Sequence, residues 1–171
     1  PLYAYLSAGL GFFLGSWGAG AVVVSLVAGY GACVVLHAML RERIGGDAAM
    51  WAVVLFSSGP LAALFQVGYA ETLFLFLLFL SIRCVQRRRW GWLYLLVPAM
   101  GFTRPGILAF ALFLGLYGIH RFLRRRREAL PARDVVHIVS LGALATLVGF
   151  AWQWVAAVVT GDPGAYLATE L

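Results

Sequence analysis

An all-α, polytopic transmembrane helical bundle of about six spans, some of them broken, is the fold class this sequence predicts, and three observations predict it. Hydrophobic residues make up 63% of the 171 positions and charged residues 12%, against roughly 25% charged in an ordinary soluble domain. Mean hydropathy is correspondingly high, at +0.90. The apolar residues fall into runs closed by arginines or by Gly/Pro turns, and the length accommodates about six spans of roughly 20 residues. The third observation is the placing of charge. All 13 basic residues are arginine. If the spans alternate, twelve fall on one side and only Arg104 on the other. Arginines in short loops stay cytoplasmic, so this asymmetry predicts the orientation. The net charge of +6 then reports cytoplasmic loops and calls for no nucleic-acid partner. Residues 1–171 read as a single transmembrane domain. The chain opens on Pro1 without a visible signal peptide and stops at Leu171 in mid-element, which predicts a piece of a larger protein.

Residues 1–18 are apolar and carry Tyr3 and Tyr5, as expected of an interfacial helix or the end of an earlier membrane element. The first clear span covers about 19–40 and stops at Arg41-Glu42-Arg43. Gly45-Gly46-Asp47 is a turn from which Asp47 is placed to cap a helix starting at Ala48. The second span, about 48–67, contains Pro60 preceded by Ser57-Ser58-Gly59. Proline removes a backbone hydrogen bond and clashes with the preceding turn, so a break is expected there. The third span runs from near Tyr69 to Arg83. The fourth, about 90–102, contains Pro98 and is short for a hydrocarbon crossing. The fifth, about 107–122, ends in Arg124 to Arg127. A loop with Pro131 leads to the sixth, about 135–159. A turn over 160–164 and a final helix over 165–171 close the chain.

Three polar spots interrupt the apolar runs: Ser57-Ser58-Gly59-Pro60, Gly68-Tyr69-Ala70-Glu71 and Thr103-Arg104-Pro105-Gly106. Alternation puts Glu71 and Arg104 on the same extracytoplasmic side, together with Tyr3 and the 161–170 segment. A charge at the edge of hydrocarbon is expensive and marks a functional site by default. Each has a plainer reading as well. Glu71 at a helix start is favoured by the helix dipole, as a cap or as the ion-pair partner of Arg104. Arg104, pushed out of helical geometry by the proline after it, offers a bidentate fork to a phosphate but also reaches lipid headgroups. Asp162 before Pro163 fits a turn. The Arg121–Arg127 run reads as a solvated loop facing anionic lipid. His37, His120 and His137 show no metal spacing, and Cys33 and Cys84 read as free buried thiols. No phosphate loop or dinucleotide motif is present, and no cofactor is evident.

The order Pro60, Tyr69-Ala70-Glu71-Thr72-Leu73-Phe74, a basic loop, then Thr103-Arg104-Pro105-Gly106 resembles the PIG-V-type GPI mannosyltransferases and their bacterial relatives, which are GT-C class membrane glycosyltransferases. Pro1-Leu2-Tyr3 is similar to the end of that family's Phe-Pro-Leu-Tyr-Pro stretch, with Ala4 in place of the second Pro. Gly161-Asp162-Pro163 is similar to a later segment, and Ala70-Glu71-Thr72 stands where Ser-Glu-Ser is usual. The resemblance implies a polyprenyl-phosphate-linked sugar donor, usually mannose, and transfer on the extracytoplasmic face of a bacterial plasma membrane. It implies substrate-binding roles for Tyr69, Glu71, Arg104 and Asp162. The family's catalytic acidic residue belongs ahead of Pro1, so none is assigned within this chain. Two other classes compete: a lipid or solute transporter, since broken helices and intramembrane charge serve transport too, and a non-catalytic membrane scaffold.

Overall fold

The structure is a computed structural model that describes residues 2–59, 62–65, 67–104 and 106–161. Among them are seven α-helices, one 3-10 turn and no strand. They divide into two compact units, Pro1–Trp92 and Leu93–Leu171. The closing turn and helix expected over 162–171 lie outside the described residues, as does Pro60.

The first unit is built on α2 (Trp17–Ile44), whose start is fixed by Ser16: its hydroxyl accepts from the Ala19 amide at 3.0 Å. The face α2 buries is made of small residues, among them Gly20, Ala21, Ser25, Ala28 and Ala32. Two helices use it. The first, α1 (Leu2–Leu14), lays Tyr3, Ser7 and Gly11 against it, one residue per turn. The approach is close: a Cβ on Gly20 would stand 2.3 Å from the Ser7 carbonyl oxygen and 2.5 Å from the Gly11 nitrogen. The other is α4 (Ala70–Gln86), which runs parallel to α2. Its Thr72 meets Gly29, its Phe76 meets Gly31, and its Arg83 and Arg87 meet Glu42. The α2–α4 pair therefore has its arginines at one end and Tyr69 and Glu71 at the other, about 26 Å away along α4.

Between them α3 (Gly46–Ser58) turns back at Gly45, whose φ of 85° suits a residue without Cβ. Asp47 does not cap this helix. Gly45 is the N-cap, with no side-chain bond, and Asp47 sits in the first turn, where it still meets the positive end of the dipole. The expected break is present: α3 ends at Ser58, and a 3-10 turn, Ala62–Phe65, follows. The Ser57 and Ser58 hydroxyls both donate to the Val54 carbonyl, at 3.2 and 2.6 Å, a pairing that competes with the helical ladder. Phe56 packs on Phe65 and Phe79 with ring centroids 5.3 and 5.8 Å apart and holds the broken segment against α4. At the far end of α4, Arg89 and Arg88 donate to the carbonyls of Cys84 and Val85. This is a Schellman turn that puts Arg88 at φ 52°, where glycine is usual.

From α4 the chain passes along α5 (Trp90–Thr103) into the second unit. Here α5 continues through Pro98, leaving the Tyr94 carbonyl without its ladder donor. The next helices, α6 (Ile107–Leu123) and α7 (Ala132–Thr160), form an antiparallel hairpin: Leu108 packs at Gly149 and Ile138 at Gly118. α5 runs parallel to α7, with Tyr94 beside His137 and Ser140 and Gly101 beside Val148. Arg104 therefore stands at the end of α6 opposite the 121–133 arginines.

Small side chains fill the α1–α2 contact, whereas Leu93, Met100, Ile107, Leu114 and Leu141 are fully buried in the second unit; Phe12, Phe13, Leu123, Leu147 and Val158 are more than two-thirds exposed. Small residues at helix contacts are what packing in hydrocarbon selects. Two segments, α2 and Ala132–Ala151 of α7, are long and apolar enough to cross a membrane.

Candidate functional site

The four residues expected to bind substrate divide as follows. Tyr69 and Glu71 open α4 in the first unit. Arg104 closes α5 in the second unit. Asp162 lies outside the described residues.

Tyr69 is the N-cap of α4 with extended backbone (φ −113°, ψ 148°), and no side chain caps the helix there. Glu71 occupies the first turn instead, so it feels the helix dipole without taking the cap position. The Tyr69 side chain is exposed. Its backbone is held. The amide donates to the Val67 carbonyl at 2.7 Å, and its own carbonyl accepts from the Ser25 hydroxyl at 3.2 Å. Ser25 is fully buried and lies 3.0 Å from the Tyr3 hydroxyl, which in turn donates to the Ala21 carbonyl at 2.9 Å. Two hydroxyl protons serve three contacts, so one of them is shared. Gly68 completes the corner, with the Tyr3 hydroxyl 3.5 Å and the Ala21 methyl 2.8 Å from where its Cβ would be.

The structure thus brings together Tyr3 and Gly68-Tyr69, two of the separate polar segments, through a serine that sequence reasoning did not single out. A serine amid the apolar run of α2 was the available signal, since buried hydroxyls are normally satisfied. The arrangement fixes the backbone from which the Tyr69 phenol and Glu71 carboxylate project. Both groups suit hydrogen bonding to hydroxyls of a ligand.

Arg104 leaves the helix as expected. Its amide still donates to the Met100 carbonyl at 3.3 Å, while its carbonyl accepts from Gly106 at 2.9 Å in the turn to α6. Arg104 is exposed as a residue. Thr103 beside it is buried and donates to the Ala99 carbonyl at 2.7 Å.

One arginine departs from the sequence reading. Arg121, grouped with the solvated 121–127 run, is turned inward with 8% of its side chain exposed. It donates to Glu128 Oε2 and to the Ala129 carbonyl, each at 3.1 Å, and faces Asp134 Oδ2 at 3.6 Å. The reason is position on α6. Arg121 extends the buried row of Phe110 and Leu114, so its stem is carried into the α6–α7 contact and its fork must be satisfied there. Arg124 to Arg127 are exposed.

Among the described residues no three His, Cys, Asp or Glu side chains gather closely enough to hold a metal ion, and Cys33 and Cys84 are free. The described residues define an all-helical class, with two helices long and apolar enough to cross a membrane. Protein-family models, curated proteins and solved structures contain no match to the chain.

Proposed function

We propose that the chain is part of a polytopic membrane glycosyltransferase of GT-C type. It uses a polyprenyl-phosphate-linked sugar, with mannose the leading candidate, on the extracytoplasmic face. The observation that carries this reading is the Tyr3–Ser25–Tyr69 connection, which joins two segments of the resemblance at one end of the α2–α4 pair, away from the arginines. A plain helix start needs no such anchoring. The exposed large apolar side chains favour a membrane setting, and the opposed ends of Arg104 and the 121–133 arginines on α6 fit an orientation with the arginine loops cytoplasmic. In this reading the Tyr69 phenol and Glu71 carboxylate hold sugar hydroxyls, and Asp162 adds a further acceptor. Arg104 neutralises the phosphate as it leaves, stabilising charge that develops in the transition state.

The test is sugar transfer from radiolabelled polyprenyl-phosphate mannose by the full-length protein in vesicles. Arg104→Ala is expected to lower turnover about 30- to 1000-fold, the equivalent of about 2–4 kcal/mol. Arg104→Lys, which keeps the charge and loses the fork, falls between. Wild-type turnover by a folded Arg104→Ala protein removes the phosphate role.

A further inference from the structure

Between α6 and α7 lies an apolar groove of about 730 Å³, within the size range of ligand sites that enclose most of their occupant. It extends from Leu108 to Phe122 on α6 and from Thr146 to Val135 on α7, a length of about 21 Å. Leu112 and Val139 on its walls are each 64% exposed. Its one polar lining side chain, Thr146, donates to the Gly142 carbonyl at 2.9 Å. The groove therefore offers nothing to a sugar or a peptide backbone and suits a hydrocarbon chain.

The two ends differ in charge. Phe122 and Leu130 form one mouth, and the Arg125 guanidinium lies over the Phe122 ring, 3.8 Å from its centroid. Arg124, Arg126 and Arg127, its neighbours in sequence, are exposed. The neighbouring acids are engaged elsewhere: Glu128 and Asp134 both pair with Arg121. An apolar slot deeper than one leaflet of a roughly 30 Å hydrocarbon core, capped at one end by four cations, has the shape and polarity of a single phospholipid.

We propose that this groove holds an acyl chain of an anionic phospholipid, with the lipid phosphate at Arg124–Arg127. The site rests on the membrane reading above and is distinct from the proposed sugar site, since Arg104 stands at the other end of α6. The chemistry is that of a polybasic lipid contact, given a fixed place by the groove.

The test uses the full-length protein in phosphatidylcholine vesicles carrying phosphatidylglycerol with a diazirine in its acyl chain, with adducts mapped by peptide mass spectrometry. Adducts are expected on α6 and α7 at Leu112, Ile119 and Val139. Gly115 and Gly142 line the groove, and no atom lies within 4 Å of a Cβ placed on either. Gly115→Leu and Gly142→Leu should thus fill it without moving backbone and lower the adducts at least tenfold. Replacing Arg124–Arg127 by glutamine should lower labelling by the phosphatidylglycerol probe several-fold and leave a phosphatidylcholine probe unaffected. Equal labelling of the wild type by both probes, adducts indifferent to the leucine variants, or crosslinks between copies in place of lipid adducts would each overturn the proposal. Alkaline extraction separates the two failures. A protein that stays in the membrane yet gives no groove adducts refutes the lipid site alone, and one that washes off refutes the membrane reading with it.

Discussion

Replacing Arg121 by methionine should be the most destabilising single change at the α6–α7 turn. The guanidinium is nearly enclosed and faces Asp134 at 3.6 Å, while the Asp134 side chain is 10% exposed. At an effective dielectric of about 20, charges at that separation attract by roughly 4–5 kcal/mol before desolvation is subtracted. Removing one member of a buried pair costs about 3–5 kcal/mol, because the other charge stays buried. Asp134 sits in the first turn of α7 and keeps the favourable dipole there, which puts the expected loss near the lower bound, at about 3 kcal/mol. The contact with Glu128 adds little, since that carboxylate is half exposed. Asp134→Asn should cost less, about 1–2 kcal/mol, because Arg121 retains Glu128 and the Ala129 carbonyl. The double change Arg121→Met with Asp134→Leu removes both charges and should recover part of the loss. The assay is thermal or denaturant unfolding of the full-length protein in one detergent, read by circular dichroism, for the wild type, Arg121→Met, Asp134→Leu and the double variant, which are the four corners of the cycle. Effects that add to within about 0.5 kcal/mol would show the two side chains to be uncoupled and the pairing argument to be wrong.

Cysteines introduced near Gly68 and Gly161 should react with an impermeant reagent added outside, and those near Arg88 and Arg126 should not; the reverse pattern overturns both the orientation and the proposed site. Glu71→Gln should lower sugar transfer without lowering thermal stability if the carboxylate binds ligand, and a drop in stability with unchanged turnover would reduce it to a dipole partner. Arg88→Gly should stabilise the protein by about 1 kcal/mol in an unfolding measurement, because it relieves a left-handed backbone at a non-glycine residue. Gly20→Val should separate α1 from α2, since its Cβ would enter the Ser7 and Gly11 backbone. A melting temperature unchanged from wild type would contradict that contact.

The helices were legible because their ends are local chemistry. Hydrophobic runs closed by Arg41, Arg83 or Arg124 announce themselves, and so does the interruption around Ser57-Ser58-Gly59, where α3 stops. Caps were less legible. Asp47 and Glu71 are good cap residues, but Gly45 and Tyr69 turn the backbone two residues earlier and take the position. The inward Arg121 could not be told from Arg124–Arg127 by composition. Only the row it shares with Phe110 and Leu114 separates it, and that row matters once α7 is known to lie against it. The Ser25 bridge is non-local in the same way: its partners are 22 and 44 residues away in sequence.

The parallel pair α2 and α4 is fastened at its two ends by unlike chemistry. At Tyr69 the fastening is a set of neutral hydroxyl contacts around a fully buried serine. At Glu42 it is a half-exposed carboxylate shared by Arg83 and Arg87. Mobile ions weaken the second and leave the first untouched, with a screening length that falls from about 10 Å at 0.1 M salt to about 3 Å at 1 M. Rising ionic strength therefore weakens the fastening at Glu42 and leaves the one at Ser25 in place, so any fraying of this pair begins at its arginine end.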